Sequence, residues 1–107
     1  MQVFQEAFRV LKKSGLLLIS IPFEHNNDKT RCRVKLEEGE IKYLLPSQYH
    51  ENPMDKKNGS LVFYDYGWDF LKFLYNAGFH DAYALGYYDF FYGYINWNVS
   101  LIFVAHK

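Results

Sequence analysis

Four histidines, at positions 25, 50, 80 and 106, are the side chains of this sequence whose ordinary pKa, about 6.5, lets them take or give a proton near neutral pH. His25 and His50 lie in polar stretches, "FEHNND" and "SQYHENP", where an imidazole can serve a ligand or simply fix or solvate a loop. His80 and His106 flank apolar segments and read as structural or exposed. Spacing argues against a metal: His25, Cys32 and His50 stand apart, without C-x-x-C, H-x-x-x-H or a carboxylate partner at helical spacing. Nucleophilic catalysis fares no better. Ser20 and Ser60 lack a G-x-S-x-G setting, and Cys32, between Arg31 and Arg33, fits a plain half-buried thiol better than an activated one.

Aromatic side chains are the other chemical resource, at 21% of the chain. Those from Tyr87 to Trp97 can stack on a sugar or a planar acceptor. The preferred reading of so dense a group in a small domain is packing within a terminal hairpin or a dimer contact. Asn98-Val99-Ser100 matches a glycosylation acceptor but falls in a predicted buried strand, so the match is read as chance.

The frame that must position these residues is small. A chain of 107 residues fits one domain, 1–107. Lys plus Arg and Asp plus Glu are each 12, which leaves no net field to draw the chain to nucleic acid or to an anionic bilayer. The longest apolar run, "GLLLISIPF", is too short to span a membrane, and with one cysteine and no secretory leader pattern the expected compartment is the cytoplasm.

Phe4, Ala7, Phe8 and Leu11 follow helical spacing, and Ser14-Gly15 offers a left-handed stop. Lys12 and Lys13 suit the negative end of that helix. "LLLISI" then reads as a strand covered on both faces, closed by Pro22. Residues 24–60 turn polar and predict a hairpin about Gly39 followed by a loop, "SQYHENPMDKKNGS". Asp65 fits the N-cap of a helix over 66–77 ended by Gly78. Two strands joined by a short link close the chain, the second with Trp97, Val99, Leu101 and Phe103 on one face.

In this order, "FQEAFRVLKKSGLLLISIP" and "YGWDFLKFLYNAGF" make the chain resemble the C-terminal half of a class I S-adenosylmethionine-dependent methyltransferase. The first segment is similar to the family's helix and R-V-L-K-x-G-G turn before its fifth strand, with Ser14 and Leu16 departing from that pattern. The second is similar to the helix ending in L-x-x-A-G-F. The resemblance implies an α/β fold: a partial Rossmann-like sheet of strands resembling five, six and seven, helices on its faces and a β-hairpin insertion. It also implies that strands one to four, with the donor site, precede residue 1. The seven glycines, at 15, 39, 59, 67, 78, 86 and 93, form no G-x-G, so no cofactor-binding residue is assigned here and S-adenosylmethionine is expected to serve only the complete enzyme.

In the resembling family the acceptor pocket is built from the loop after strand five, from insertions and from the loop before the last helix. The corresponding positions are Phe23 and His25, then Tyr49, His50 and Asn52, then Tyr64 and Tyr66. The resemblance thus makes His50 and His25 the candidate catalytic bases and the other five the acceptor-binding residues, for a small molecule such as a sugar or another hydroxyl compound. A truncated chain, a half that joins a separate partner, and a remnant with a new binding role all remain open. The edge that would face strand four is bare, so the expected partner is a second copy or the missing N-terminal half. The alternative function is a non-enzymatic protein-interaction module.

Overall fold

A computed structural model of the chain describes residues 2–97 and 99–107. In chain order the elements are α1 (Gln2–Val10), β1 (Leu16–Ile19), β2 (Arg31–Cys32), β3 (Val34–Glu37), β4 (Glu40–Tyr43), β5 (Tyr49–His50), β6 (Ser60–Leu61), β7 (Tyr64–Asp65), α2 (Phe70–Ala77), β8 (Asp81–Tyr87) and β9 (Ser100–His106). They form two compact units. One joins the chain up to Ile21 with the chain from Phe70; the other is Pro22–Asp69. Asn98 of Asn98-Val99-Ser100 lies outside the described residues.

The first unit is a three-stranded sheet in the order β1-β9-β8, with two helices. The opening strand pairs antiparallel with the last, Leu16 opposite His106 and Ile19 opposite Phe103, and β8 runs antiparallel on the other side of β9 from Asp81–His106 to Tyr87–Ser100. This sheet overturns the expected fold class. A Rossmann-like sheet is built on parallel strands joined by crossovers, whereas among the described residues every ladder is antiparallel and the one parallel contact is an isolated bridge, Phe23 to Tyr66, in the other unit.

The opening strand departs from expectation for a related reason. "LLLI" is apolar throughout, but only alternate residues are covered, and Leu16 and Leu18 are exposed. Antiparallel sheets tolerate one solvated face, and hydropathy alone does not say which side chains find cover.

Aromatic edge-to-face contacts hold this unit together. The Phe70 ring lies 5.2 Å from Phe4 of α1 and 4.8 Å from Phe103 of β9, and Phe8 meets Phe79 at 5.1 Å. Helix α1 stops before a left-handed Ser14, with φ of 62°, rather than a left-handed Gly15. The carbonyls of Phe8 and Arg9, and that of Leu11 just beyond the helix, accept hydrogen bonds from the Lys107 ammonium, which sets a cation from the far end of the chain at this terminus. Helix α2 is shorter than the sequence predicts and ends at Gly78, whose φ of +113° no ordinary residue adopts easily and whose missing Cβ makes room for the Phe8 ring.

The second unit is three two-stranded ladders: β2 with β7, β3 with β4, and β5 with β6. Glu38 and Gly39, both at positive φ, turn β3 into β4 and bring Glu37 opposite Glu40, the pattern of a two-residue hairpin. The long loop is bounded by a ladder, Tyr49 opposite Leu61 and His50 opposite Ser60. Within it the Asp55 carboxylate accepts from the backbone and side-chain nitrogens of Asn58, which together hold its pKa below the ordinary carboxylate range.

Candidate functional site

Asp65 is not a helix cap. It sits in β7, only 3% exposed, and the helix begins five residues later at Phe70. Its Oδ1 accepts a 2.6 Å bond from Arg33 Nε and its Oδ2 a 3.2 Å bond from an Arg31 guanidinium nitrogen. Arg31 also reaches Glu24 at 2.8 Å, and Arg33 donates to the Pro46 carbonyl. Alternation explains the pairing. In "RCR" the residues either side of Cys32 point to one face of a strand, so two guanidiniums meet the one carboxylate of the strand paired with it. The bond to Asp65 raises the Arg33 pKa further.

The opposite orientation of Cys32 brings its thiol to the Val34 carbonyl at 3.3 Å and beside Tyr64. Burial, and then the Cys32 sulfur, push the Tyr64 hydroxyl above its usual range; burial, and then Tyr64, do the same to Tyr66. The two phenol rings lie 5.8 Å apart.

Segment 24–30 folds against residues 66–69 through backbone bonds. Trp68 N donates to Asn27 O at 3.0 Å, Asp69 N to Asp28 O at 2.9 Å and Glu24 N to Tyr66 O at 2.9 Å. Asp69 Oδ1 accepts from both the backbone and the hydroxyl of Thr30. The side chain of Asn27 bonds that of Glu24. Gly67 is required at this crossing, because a Cβ there would stand 2.6 Å from Asn27 O and 2.7–2.8 Å from the Lys29 backbone. The Trp68 indole nitrogen donates to His25 O at 3.0 Å, and the Phe23 ring stands edge-on to Trp68 at 4.9 Å and to His25 at 5.5 Å.

Of the seven residues selected from the sequence, Phe23, His25, Tyr64 and Tyr66 therefore converge: Phe23 bridges to Tyr66 through the backbone, and the rings of each neighbouring pair touch. Tyr49, His50 and Asn52 belong to the β5–β6 ladder and its loop. Tyr49 and His50 are exposed there, and the Tyr49 hydroxyl bonds Tyr43, raising the pKa of the latter. Asn52 Oδ1 accepts from Met54 N, an Asx turn, beside a groove of about 520 Å³ lined by Glu51, Asn52, Pro53 and Lys56. Sequence reasoning passed over Trp68 as a site residue and missed the Arg31–Arg33–Asp65 cluster, although the R-x-R alternation carries the signal.

Among the described residues no buried side-chain nitrogen or oxygen lacks a partner, and no group of three or more His, Cys, Asp or Glu could hold a metal ion. The ion cluster is thus satisfied internally, whereas His25, beside the aromatic group, is exposed. No described helix is long and apolar enough to cross a membrane. Comparisons with protein-family models, curated proteins and solved structures find no match to this chain.

Proposed function

We propose that this chain supplies the acceptor side of an S-adenosylmethionine-dependent methyl transfer to a small hydroxylated molecule in the cytoplasm, and is inactive alone because another polypeptide segment holds the donor. The carrying observation is the convergence of Phe23, His25, Trp68, Tyr64 and Tyr66 in one unit. Together with the sequence motifs it supports the reading, which needs no Rossmann-like sheet within this chain.

Methyl transfer is an in-line displacement: the acceptor oxygen forms the new bond to carbon, the carbon–sulfur pair stays on sulfur, and the hydroxyl proton must leave. Most of the rate comes from holding the two reactants in line, so an acceptor site is chiefly a positioning surface. Ring faces of Phe23 and Trp68 offer stacking to a sugar or planar ring. The His25 imidazole beside them is the group to receive the proton. His50, in a different ladder, is kept as the second candidate base should the β5–β6 loop close over an acceptor.

An NMR titration with simple glycosides and phenols tests the acceptor role. Shifts are expected at the His25 imidazole, the Trp68 indole and the Tyr64 and Tyr66 rings; saturable shifts elsewhere, with this cluster unmoved, would reject it. Calorimetry with S-adenosylmethionine tests the other half of the proposal, since saturable micromolar binding by this chain alone would show that the donor needs no other segment. The second reading, a protein-interaction module, is favoured by the exposure of Phe90, Phe91, Tyr92 and Trp97.

A further inference from the structure

The outer edge of β8 is partly closed and partly open, and the division is instructive. Tyr75 of α2 uses its hydroxyl twice on Ala82, donating to the carbonyl at 3.1 Å and accepting from the N–H at 3.2 Å. These two groups must therefore point away from β9. Because backbone direction alternates along a strand, the N–H and C=O of Ala84 and Gly86 point the same way, and on that side no described residue bonds them. Ala84 is half-buried and Gly86 exposed.

We infer that this open edge pairs antiparallel with the same edge of a second copy, centred on Gly86, with the aromatic loop that follows β8 closing over the partner. The inference is independent of the acceptor reading. Three observations select a second copy as the occupant. First, a two-fold pairing about Gly86 sets Gly86 opposite itself, Leu85 opposite the partner's Tyr87 and Ala84 opposite the partner's Tyr88, which leaves the Tyr75–Ala82 cap undisturbed. Second, charge permits it: from Ala82 to Ala105 the sequence holds no Lys, Arg or Glu and one Asp, Asp89, so no like charges face one another near the axis. Edges that avoid such pairing carry lysine, proline or a bulge, and this edge has none of the first two.

Third, the loop is apolar where it should be wet. Phe90 and Phe91 are 80% and 87% exposed, Tyr92 and Ile95 are open, and Trp97 is wholly so. Gly93 at φ of +73° and the Asp89–Tyr94 bridge turn this stretch back on itself directly after β8. A patch of this kind on a small chain marks a surface that is covered in use, and the self-complementary edge beside it fixes what covers it.

Light scattering at micromolar to millimolar concentration, with amide exchange on the same samples, tests the pairing. The expected result is a dimer in which the Ala84 and Gly86 amides become protected as the dimer fills. Ala84→Pro removes an outward N–H without touching the β9 ladder, and Phe91→Ser acts at the loop tip away from any buried contact; each is expected to weaken dimerisation by about tenfold or more while leaving the circular dichroism unchanged. A chain that stays monomeric throughout would overturn the inference. So would a dimer in which Ala84 and Gly86 exchange freely, or one broken by Leu18→Lys on the β1 edge but by neither of these variants. Flotation of a monomeric chain with phosphatidylcholine vesicles would reassign the aromatic loop to a lipid surface and equally reject a second copy.

Discussion

Arg33, the residue that follows β2, and Asp65 of the paired strand β7 meet Nε to Oδ1 at 2.6 Å across 32 residues of chain. The bond joins the two ends of the second unit, since β2 and β7 flank everything from β3 to β6. Asp65 is almost wholly buried while the Arg31 side chain is 48% exposed, so removal of the carboxylate, not of Arg31, is the severe change. Asp65→Asn is expected to cost roughly 2–4 kcal/mol, because a charge network loses its anion and the amide offers one acceptor where two were used. Arg31→Met should cost much less. Urea unfolding midpoints check the order; equal losses for the two variants would show that burial of Asp65 does not set the energy.

How far this arrangement was legible depends on distance along the chain. The α1 stripe with Phe4 and Phe8, the Gly39 turn and the Gly78 stop all rest on local rules, and each is present. Strand direction was not readable. "LLLI" is equally apolar in a parallel or an antiparallel sheet; the expected partner, the last strand, is the one it has, although that strand lies at the far end of the sequence. The Lys107 cap of α1 was hidden by distance, at 96 to 99 residues of separation. Asp65 was misread because an acidic residue just before an apolar helix looks like a cap; the paired arginines of "RCR" decide otherwise only once β2 and β7 are known to pair. Within the candidate site, the family resemblance points to Phe23 and His25 and to Tyr64 and Tyr66, but nothing in the sequence says that they are brought together, that Trp68 joins them or that His50 stands on another ladder.

Gly67 makes the crossing of 24–30 over 66–69 possible, and its contacts are with backbone, which does not yield as a flexible side chain would. Gly67→Ala is expected to cost roughly 1–3 kcal/mol and to shift the Trp68 indole signal as the bond to His25 O is lost. Gly93→Ala, where a Cβ has open space, makes a useful contrast despite its positive φ. Thermal melts monitored by tryptophan fluorescence compare them, and a Gly67 variant as stable as the parent would mean that segment 24–30 is not held against residues 66–69.

Tyr64 and Tyr66 are both held in the neutral form, chiefly by burial. For an acid whose folded pKa is raised, the fold favours the protonated species: the contribution is complete below the unfolded pKa, about 10, and is lost as pH climbs through the folded values. Ultraviolet titration should therefore show a late-ionising group of tyrosines that includes these two and Tyr43. Tyr64→Phe and Tyr66→Phe should each remove part of the late group and flatten the alkaline loss of stability. A late group unchanged in both variants would place the buried phenols elsewhere.

The Tyr75 hydroxyl closes the one outward N–H and C=O of β8 that lie in a buried position, at Ala82. Tyr75→Phe keeps the ring on α2 and deletes only that closure, leaving two backbone polar groups to find water or a new partner. The expected cost is about 1–2 kcal/mol in urea unfolding, at the level of one or two ordinary hydrogen bonds. The variant also lengthens the open edge from Ala84–Gly86 to Ala82–Gly86. If β8 pairs with a second copy, dimerisation should strengthen even as the monomer weakens, because the added outward groups are satisfied only across the interface. Sedimentation at several concentrations separates the two effects: a variant that is less stable and no more dimeric than the parent would show that the Tyr75 cap guards the fold alone and sets no limit on edge pairing.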